Sequence, residues 1–148
     1  MTPENNNKVL HCVVVAPEGK LLDCKTTSVI FPAHDGQAGV LRNHMPMLCR
    51  LGLGIMEVKS YNPDRNWNGR EFLLIDRGFA MIVSNELTVI GYEAISFKDM
   101  PADRIERILE KAQKKFDTGT YTPEQQLHEK KKLALMTRLA KLCGSAVT

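Results

Sequence analysis

The sequence predicts a strand-rich domain, built as a sandwich or a barrel, followed by a hairpin of two helices. Apolar residues recur with a period of about two as far as Ile95 and of about 3.6 beyond it. Charge changes at the same place: residues 1–100 carry 10 Lys+Arg against 11 Asp+Glu, whereas residues 101–148 carry 10 against 6. We therefore divide the chain into an all-β domain, residues 1–96, and a two-helix domain, residues 97–148.

The first domain is predicted to contain about eight to ten short strands, separated by turns. Strand-like segments are Lys8–Ala16, Thr26–Pro32, Leu41, Met47–Leu53, Ile55–Tyr61, Glu71–Ile75, Phe79–Val83 and Leu87–Gly91. Gly, Pro, Asn and Asp predict turns at Pro17–Gly19, Asp35–Gly36, Asp76–Gly78 and Ser84–Glu86. The polar segment Asn62–Gly69 predicts the loop of a long hairpin, with Trp67 at the edge of the core.

The first helix of this domain is predicted to begin near Pro101, because a proline lacks the N–H that the first turn of a helix leaves unpaired. Helical spacing predicts one apolar stripe from Ile105, Ile108, Leu109, Ala112 and Phe116. Asp117–Tyr121 predicts a break, and Thr122 with Gln125 predicts a capping box that restarts the helix. The second stripe contains Leu127, Ala134, Leu135, Leu139 and Leu142, extended by Met136, Ala140 and Cys143. Gly144 predicts the end of this helix.

Composition excludes several classes of protein. No apolar run approaches the roughly 20 residues that a membrane helix requires. The polar, Asn-rich start is unlike a signal peptide, so we expect the chain to work in the cytosol. None of the four cysteines, Cys12, Cys24, Cys49 and Cys143, lies in a Cys-x-x-Cys pair, which favours reduced and partly buried thiols.

One segment offers candidate chemistry. His34, Asp35 and His44 are residue types that bind metals or transfer protons, but their spacing matches no known ligand motif, and Asp35-Gly36 is typical of a turn. Gly36 and Gly39 resemble part of a phosphate loop, yet a strand-like segment follows them where such a loop needs a helix N-terminus. A small enzyme that uses these histidines is the first alternative hypothesis.

Basic residues gather on the second helix. Lys130, Lys131, Lys132, Arg138 and Lys141 predict either a solvated face or an electrostatic contact with an acidic segment of a partner. A free-standing module that binds an acidic partner or nucleic acid through this helical hairpin is the second alternative. The C-terminal third has only Phe116 and Tyr121 as aromatics, so it lacks the stacking residues typical of single-stranded nucleic-acid binders.

Several segments, in one order, resemble the epsilon subunit of F-type ATP synthase. They are Val15–Leu22, with its Pro-Glu-Gly turn; Asp35–Leu48, with Gly-x-x-Gly followed by His-x-Pro; Leu51–Met56; Phe72–Val83, similar to an apolar–Gly–apolar hairpin; and Leu87–Ala94. A two-helix tail completes the resemblance, which extends over residues 8–143.

The resemblance implies a flattened β-sandwich and a non-catalytic rotor subunit that couples the rotation of a proton-driven c-ring to ATP synthesis. It implies the gamma subunit, the c-ring and the catalytic alpha and beta subunits as partners, with no nucleic acid. Contact with the membrane is implied only through the complex, at the cytoplasmic face of a bacterial inner membrane. The residues that match the family's contact with the c-ring are Gly36, Gln37, Ala38, Gly39 and His44.

The resemblance also concerns regulation. It implies that the two helices extend and restrain ATP hydrolysis by engaging acidic parts of the catalytic subunits, which the basic residues of the second helix would suit. Some members bind ATP through an apolar-Asp-x-x-Arg-Ala motif. In the matching stretch, Met100–Ile105, only Arg104 and the initial apolar residue agree with it. We therefore expect no ATP binding, no other cofactor and no metal.

Overall fold

A computed structural model of the protein describes residues 9–62 and 67–147. The chain divides into two compact units, Met1–Ser96 and Phe97–Thr148. The first unit contains six described strands: β1 (Leu10–Ala16), β2 (Gly19–Ala33), β3 (Gly36–Leu41), β4 (Met47–Asn62), β5 (Trp67–Val83) and β6 (Glu86–Ser96). The second contains two described helices: α1 (Ala102–Thr118) and α2 (Pro123–Val147).

The strands close on themselves. They follow the order β1-β6-β5-β4-β2-β3, and β1 also pairs with β2. The pair β1–β6 is parallel, while every other described pair is antiparallel. Closure gives most strands a partner on both sides, and among the described strands β3, which pairs with β2 alone, keeps one unpaired edge. The expected strand unit followed by two helices is thus confirmed.

The strands are fewer and longer than predicted, because one long strand pairs with different neighbours along its length. The first half of β2 pairs with β1, from Gly19 to Thr26, and its second half pairs with β4 and β3. Register shifts near Thr26 mark the change. A long strand that bends in this way alternates in burial over short stretches only, so the sequence pattern resembles several short strands.

The segment Asp76–Gly78 is not a turn, and Phe72–Val83 is not a hairpin. Both lie within β5, which continues through a kink where Arg77 has a φ of 63° and Gly78 a φ of 146°. Pairing with β4 persists on both sides, from Asp76 with Leu53 to Gly78 with Leu51. Glycine suggested a turn, but here its freedom permits a bend inside a strand.

The remaining strand connections match the prediction well. Turns lie between Ala16 and Gly19, between Ala33 and Gly36 and at Ser84–Asn85. Strands β4 and β5 form the predicted long hairpin, paired from Met47–Ile82 to Asn62–Trp67. The loop is shorter than the predicted Asn62–Gly69, because Asn62 ends β4 and Trp67–Gly69 belong to β5. Residues 63–66 and the side chain of Trp67 lie outside the described part, so the position of Trp67 at the edge of the core stays a prediction.

Alternation along the strands builds the core of the first unit. In β1 every second residue, from Leu10 to Ala16, is buried. Phe31, Met56, Ile75 and Val89 extend the same cluster from β2, β4, β5 and β6. Burial of such side chains supplies roughly 1.5–3 kcal/mol each, which makes this cluster the main source of stability.

The hairpin of helices begins as predicted. Pro101 directly precedes α1, with an extended ψ of 147°, and the amides of Arg104 and Ile105 donate to its carbonyl. The capping box is present: the Gln125 amide donates to Thr122 Oγ1 at 3.3 Å, and the Thr122 amide donates to Gln125 Oε1 at 3.1 Å. Gly144 does not end α2, which continues to Val147. A single glycine inside a helix costs only about 1 kcal/mol, so it does not by itself stop one.

The apolar stripe predicted for α2 is partly wrong. Leu127 is 71% exposed and Ala134 is also exposed, whereas Leu139 and Met136 are buried. Lys132, which is 8% exposed, lies on the buried side, four residues before Met136. The stripe of α2 therefore runs through Lys132, Met136, Leu139 and Cys143, at helical spacing. The sequence analysis missed this stripe, because the charged Lys132 interrupts the apolar pattern from which such a stripe is recognised.

Candidate protein-binding surface

The strand unit has a broad surface formed by exposed apolar side chains. It lies on the outer side of three neighbouring strands, β4, β5 and β6. We call it the apolar face; its residues are Leu48, Phe79, Met81, Val83, Ile90 and Tyr92, all exposed by 41–71%. Exposed apolar surface of this extent, on one contiguous patch, is typical of a site that binds another protein.

Register brings these side chains together. Leu48 lies directly opposite Met81 on β5, and Phe79 lies directly opposite Ile90 on β6. The rings of Phe79 and Tyr92 meet edge to face, with centroids 6.4 Å apart. Side chains two residues apart on a strand share one side of the sheet, so Phe79, Met81 and Val83 form one continuous row.

The sequence analysis missed this surface, although it contains the signal. Residues 79–83 are all apolar, and a strand with one solvated side would alternate instead. Ala80 and Ile82 are buried in the core. The apolar residues that alternate with them point to the opposite side of the sheet, where only another protein would bury them. Continuous apolarity in a strand of an antiparallel sheet was the signal for a docking surface.

The residues predicted to touch the c-ring do not form one cluster. Gly36, Gln37, Ala38 and Gly39 lie on β3, beginning at the tight turn after Ala33, where β3 pairs back onto β2. His44 follows the opposite end of β3, where the neighbouring Asn43 amide donates to Asn85 Oδ1 at 2.6 Å. Because a strand extends about 3.3 Å per residue, about 17 Å separates the two ends of the six-residue β3. The contact itself stays a prediction.

The same separation bears on the histidines. His34 and Asp35 occupy the turn at one end of β3, and His44 lies beyond the other. Within residues 9–62 and 67–147, no three His, Cys, Asp or Glu side chains gather closely enough to hold a metal ion. Gly36–Gly39 is part of a strand that no helix follows directly, so it does not form the helix N-terminus that a phosphate loop requires.

All four cysteines are free thiols. Cys12 is fully buried and lies directly opposite Cys24 across β1 and β2. Burial, with smaller contributions from the nearby Cys24, Glu71 and Asp23, raises the pKa of the Cys12 thiol to about 12. A thiol with such a pKa is protonated at neutral pH and a poor nucleophile, which places Cys12 among the structural residues.

The basic residues of α2 divide between two sides of the helix. Lys130, Lys131, Arg138 and Lys141 are exposed, and helical spacing places them around Ala134 on one face. Lys132 is buried on the other side, so it does not belong to the predicted basic surface. Arg104 is exposed in the first turn of α1.

Comparisons with known proteins agree with this architecture. Residues 9–97 match the sequence profile of the family described as ATP synthase, Delta/Epsilon chain, beta-sandwich domain. The chain belongs to the ATP synthase delta/epsilon chain family. The ATP synthase epsilon chain of Rhodopirellula baltica is 33% identical over 116 residues, which are 78% of this chain and 84% of that protein. The chloroplastic ATP synthase epsilon chain of Guillardia theta is 32% identical over 116 residues, with the same shares covered.

Solved structures share the fold of this delta/epsilon-family chain. A chain of the Euglena gracilis mitochondrial ATP synthase, resolved as OSCP/F1/c-ring, matches with a TM-score of 0.56 and 15% identity, over 95% of this chain and 82% of that one. A chain of the Tetrahymena thermophila central stalk and c-ring matches with a TM-score of 0.56 and 14% identity, over 88% and 95%. Membership of the family makes the chain a non-catalytic subunit of ATP synthase. Among the described residues, neither helix is apolar over a length that would cross a bilayer.

Proposed function

We propose that this chain is the epsilon-type subunit in the central stalk of a proton-translocating F-type ATP synthase. Its strand unit binds the gamma subunit and the c-ring and turns with them, which couples rotation of the ring to ATP synthesis. Family membership and the relatives named ATP synthase epsilon chain support this role. The single observation in the structure that supports it best is the apolar face.

The apolar face fits a permanent partner inside a complex. Its six large side chains lie on β-strands of a closed sheet, so they are held in place before any partner arrives. A rigid surface loses little conformational entropy when it binds, and that favours a tight and stiff joint. A rotor subunit needs stiffness, because it transmits torque between its partners and catalyses no reaction itself.

A co-purification experiment tests the joint with gamma. The tagged chain should retain the gamma subunit of its own ATP synthase, and Met81→Lys should abolish this by placing a charge in the middle of the apolar face. Ile30→Lys is the matched control, since Ile30 is 37% exposed on β2, outside the apolar face. Failure of the unaltered chain to retain gamma would overturn the proposed function.

The contact with the c-ring is assigned to the β2–β3 turn and the residues that follow it. Gly36, Gln37 and Gly39 are exposed there. The two glycines let a partner approach the backbone, and Gln37 offers it a flexible polar side chain. Gln37→Cys should form a crosslink to a cysteine placed in the polar loop of a c subunit. His44→Cys, beyond the far end of β3, tests whether the contact extends to the last of the predicted residues.

The proposed site of action is the cytoplasmic face of a bacterial inner membrane, as a peripheral part of the assembled complex. The Rhodopirellula baltica relative supports a bacterial source, while other relatives are chloroplastic. Membrane fractionation should find the chain with the ATP synthase, and washing that strips the F1 sector should release it.

The exposed basic face of α2 suits a brake on ATP hydrolysis. Its four cations, Lys130, Lys131, Arg138 and Lys141, would engage acidic parts of the catalytic subunits when the helices extend. Replacing all four with glutamine should raise the ATPase activity of the assembled complex. Unchanged activity would leave only the coupling role, and salt-sensitive DNA binding that the replacements abolish would favour the nucleic-acid alternative.

A further inference from the structure

A groove lies next to the apolar face, within the strand unit. It encloses about 460 Å³ and is lined by His34, Arg50, Leu51, Gly52, Arg77, Gly78, Phe79 and Tyr92. We call it the arginine groove. Phe79 and Tyr92 belong both to the groove and to the apolar face, so a protein that covers the face also closes the groove.

Bare backbone forms the floor of the groove. Gly78 lies opposite Leu51 on one side and opposite Gly91 on the other, so the row across β4, β5 and β6 has two positions without a side chain. Gly52 adds a third, beside it on β4. A Cβ at Gly52 would meet the Ala33 carbonyl oxygen at 3.2 Å, and one at Gly78 would overlap the backbone of β6, so these glycines let neighbouring strands approach closely. The space of the groove lies between the side chains of Arg50, Arg77, Phe79 and Tyr92.

The walls of the groove are cationic. Their charge comes from Arg50 and Arg77, and none of the lining residues is acidic. The Arg50 side chain has no hydrogen bond or ion pair with the described part of the chain, and it lies directly opposite Phe79. Carboxylates nearby are Asp35, Glu93 and Asp76; the last is 2% exposed, with Oδ1 3.2 Å from Arg77 Nε.

Arg77 occupies a backbone conformation that disfavours it. Its φ of 63° lies in the left-handed region, where a residue with a Cβ is strained. A glycine or an asparagine would adopt this conformation more easily. Strain held at one exposed arginine suggests that the guanidinium has a function, since its side chain is 64% exposed and only Nε faces Asp76.

We infer that the arginine groove binds an acidic segment of the gamma subunit, in which a carboxylate side chain sits next to an aromatic or aliphatic one. The carboxylate would accept hydrogen bonds from Arg50 and Arg77, and its apolar neighbour would rest on Phe79 and Tyr92. Guanidinium groups suit carboxylates because two N–H donors match the two oxygens. The inference rests on the proposed function, and it names the segment of the gamma subunit that fixes the position of this chain on gamma.

Affinity for the gamma subunit, measured with the full chain at low and high salt, tests the inference. Arg50→Gln and Arg77→Gln should each weaken binding about tenfold in 50 mM KCl, and less in 300 mM KCl, because screening reduces charge-assisted contacts. Arg77→Lys, which keeps the charge but loses the paired N–H donors, should bind more tightly than Arg77→Gln and more weakly than the unaltered chain. Arg70→Gln is the matched control, since Arg70 lies on the same strand and is 62% exposed but pairs with Glu57 outside the groove.

A photo-crosslinking residue at Tyr92 identifies the occupant. The crosslinked gamma peptide should contain an Asp or Glu beside an apolar residue. Unchanged affinity of both glutamine variants, or crosslinks to a peptide without a carboxylate, overturns the inference. Met81→Lys separates the two hypotheses: if it abolishes binding while the glutamine variants do not, the groove fails and the proposed function stands.

Discussion

Gly78 on β5 faces Gly91 on β6, and the two strands approach so closely that a methyl group on Gly78 would overlap the carbonyl oxygen of Ile90. The φ of Gly78, 146°, is also one that residues with a side chain rarely adopt. Gly78→Ala is therefore expected to destabilise the strand unit by about 3 kcal/mol or more. Urea unfolding followed by circular dichroism measures this change.

Gly39→Ala is the control for that substitution. A Cβ at Gly39 would meet no atom within 4 Å, and we expect a change within about 0.5 kcal/mol. Equal effects of the two substitutions would contradict the close approach of β5 and β6.

The two faces of α2 should respond differently to the same truncation. Leu139→Ala removes a fully buried side chain and is expected to cost about 2–5 kcal/mol. Leu127→Ala removes one that is 71% exposed and should change stability by less than about 0.5 kcal/mol. The helical signal at 222 nm during thermal unfolding measures both variants. A large effect at Leu127 would restore the stripe that the sequence predicted.

Cys12 should resist thiol reagents in the folded protein. With a pKa of about 12, only about one molecule in 10⁴ carries the thiolate at pH 8. Iodoacetamide followed by mass spectrometry should therefore label Cys12 only after unfolding in urea. The half-buried Cys49 provides the comparison within the same chain, and it should be labelled sooner. Equal labelling rates in the native protein would show that Cys12 is more accessible than its position indicates.

Asp23 gives stability a defined dependence on pH. Hydrogen bonds from His11, at 2.5 Å, and from Lys20, at 2.9 Å, lower the pKa of this carboxyl below 3.8 in the folded protein. Its contribution is therefore fully present above pH 3.8 and disappears as the pH falls through the lower, folded-state pKa. Asp23→Asn should be less stable than the unaltered chain at pH 6, and the difference should vanish at strongly acidic pH. A stability difference that stays the same from pH 6 down to strongly acidic pH would rule out this linkage.

The capping box of α2 can be tested at the level of single amides. Thr122→Ala deprives the Gln125 amide of its acceptor and should cost about 1 kcal/mol. Hydrogen exchange at Gln125 and Gln126 should accelerate about fivefold, while exchange near Leu139 changes little. Thr120→Ala, in the preceding linker, is the control. Combining Thr122→Ala with Gln125→Ala should cost less than the two separate effects, because each removes part of the same pair.

The sequence by itself determined the features that depend on neighbouring residues. Alternation located β1, turn residues located the connections after Ala16 and Val83, and the Thr122–Gln125 pair marked the start of α2. These signals succeed because a turn or a cap is made by residues close together in the chain. The ordered motifs also sufficed to indicate the family.

Only the tertiary structure decided which surfaces meet a partner. It joined short predicted strands into long ones, separated Gly36 from His44, buried Lys132 and brought Leu48, Met81 and Ile90 onto one face. Register between distant strands sets these relationships, and a single sequence does not specify which strands pair. The apolar face and the arginine groove thus follow from the pairing of β4, β5 and β6, while their residues, taken one at a time, resemble ordinary strand positions.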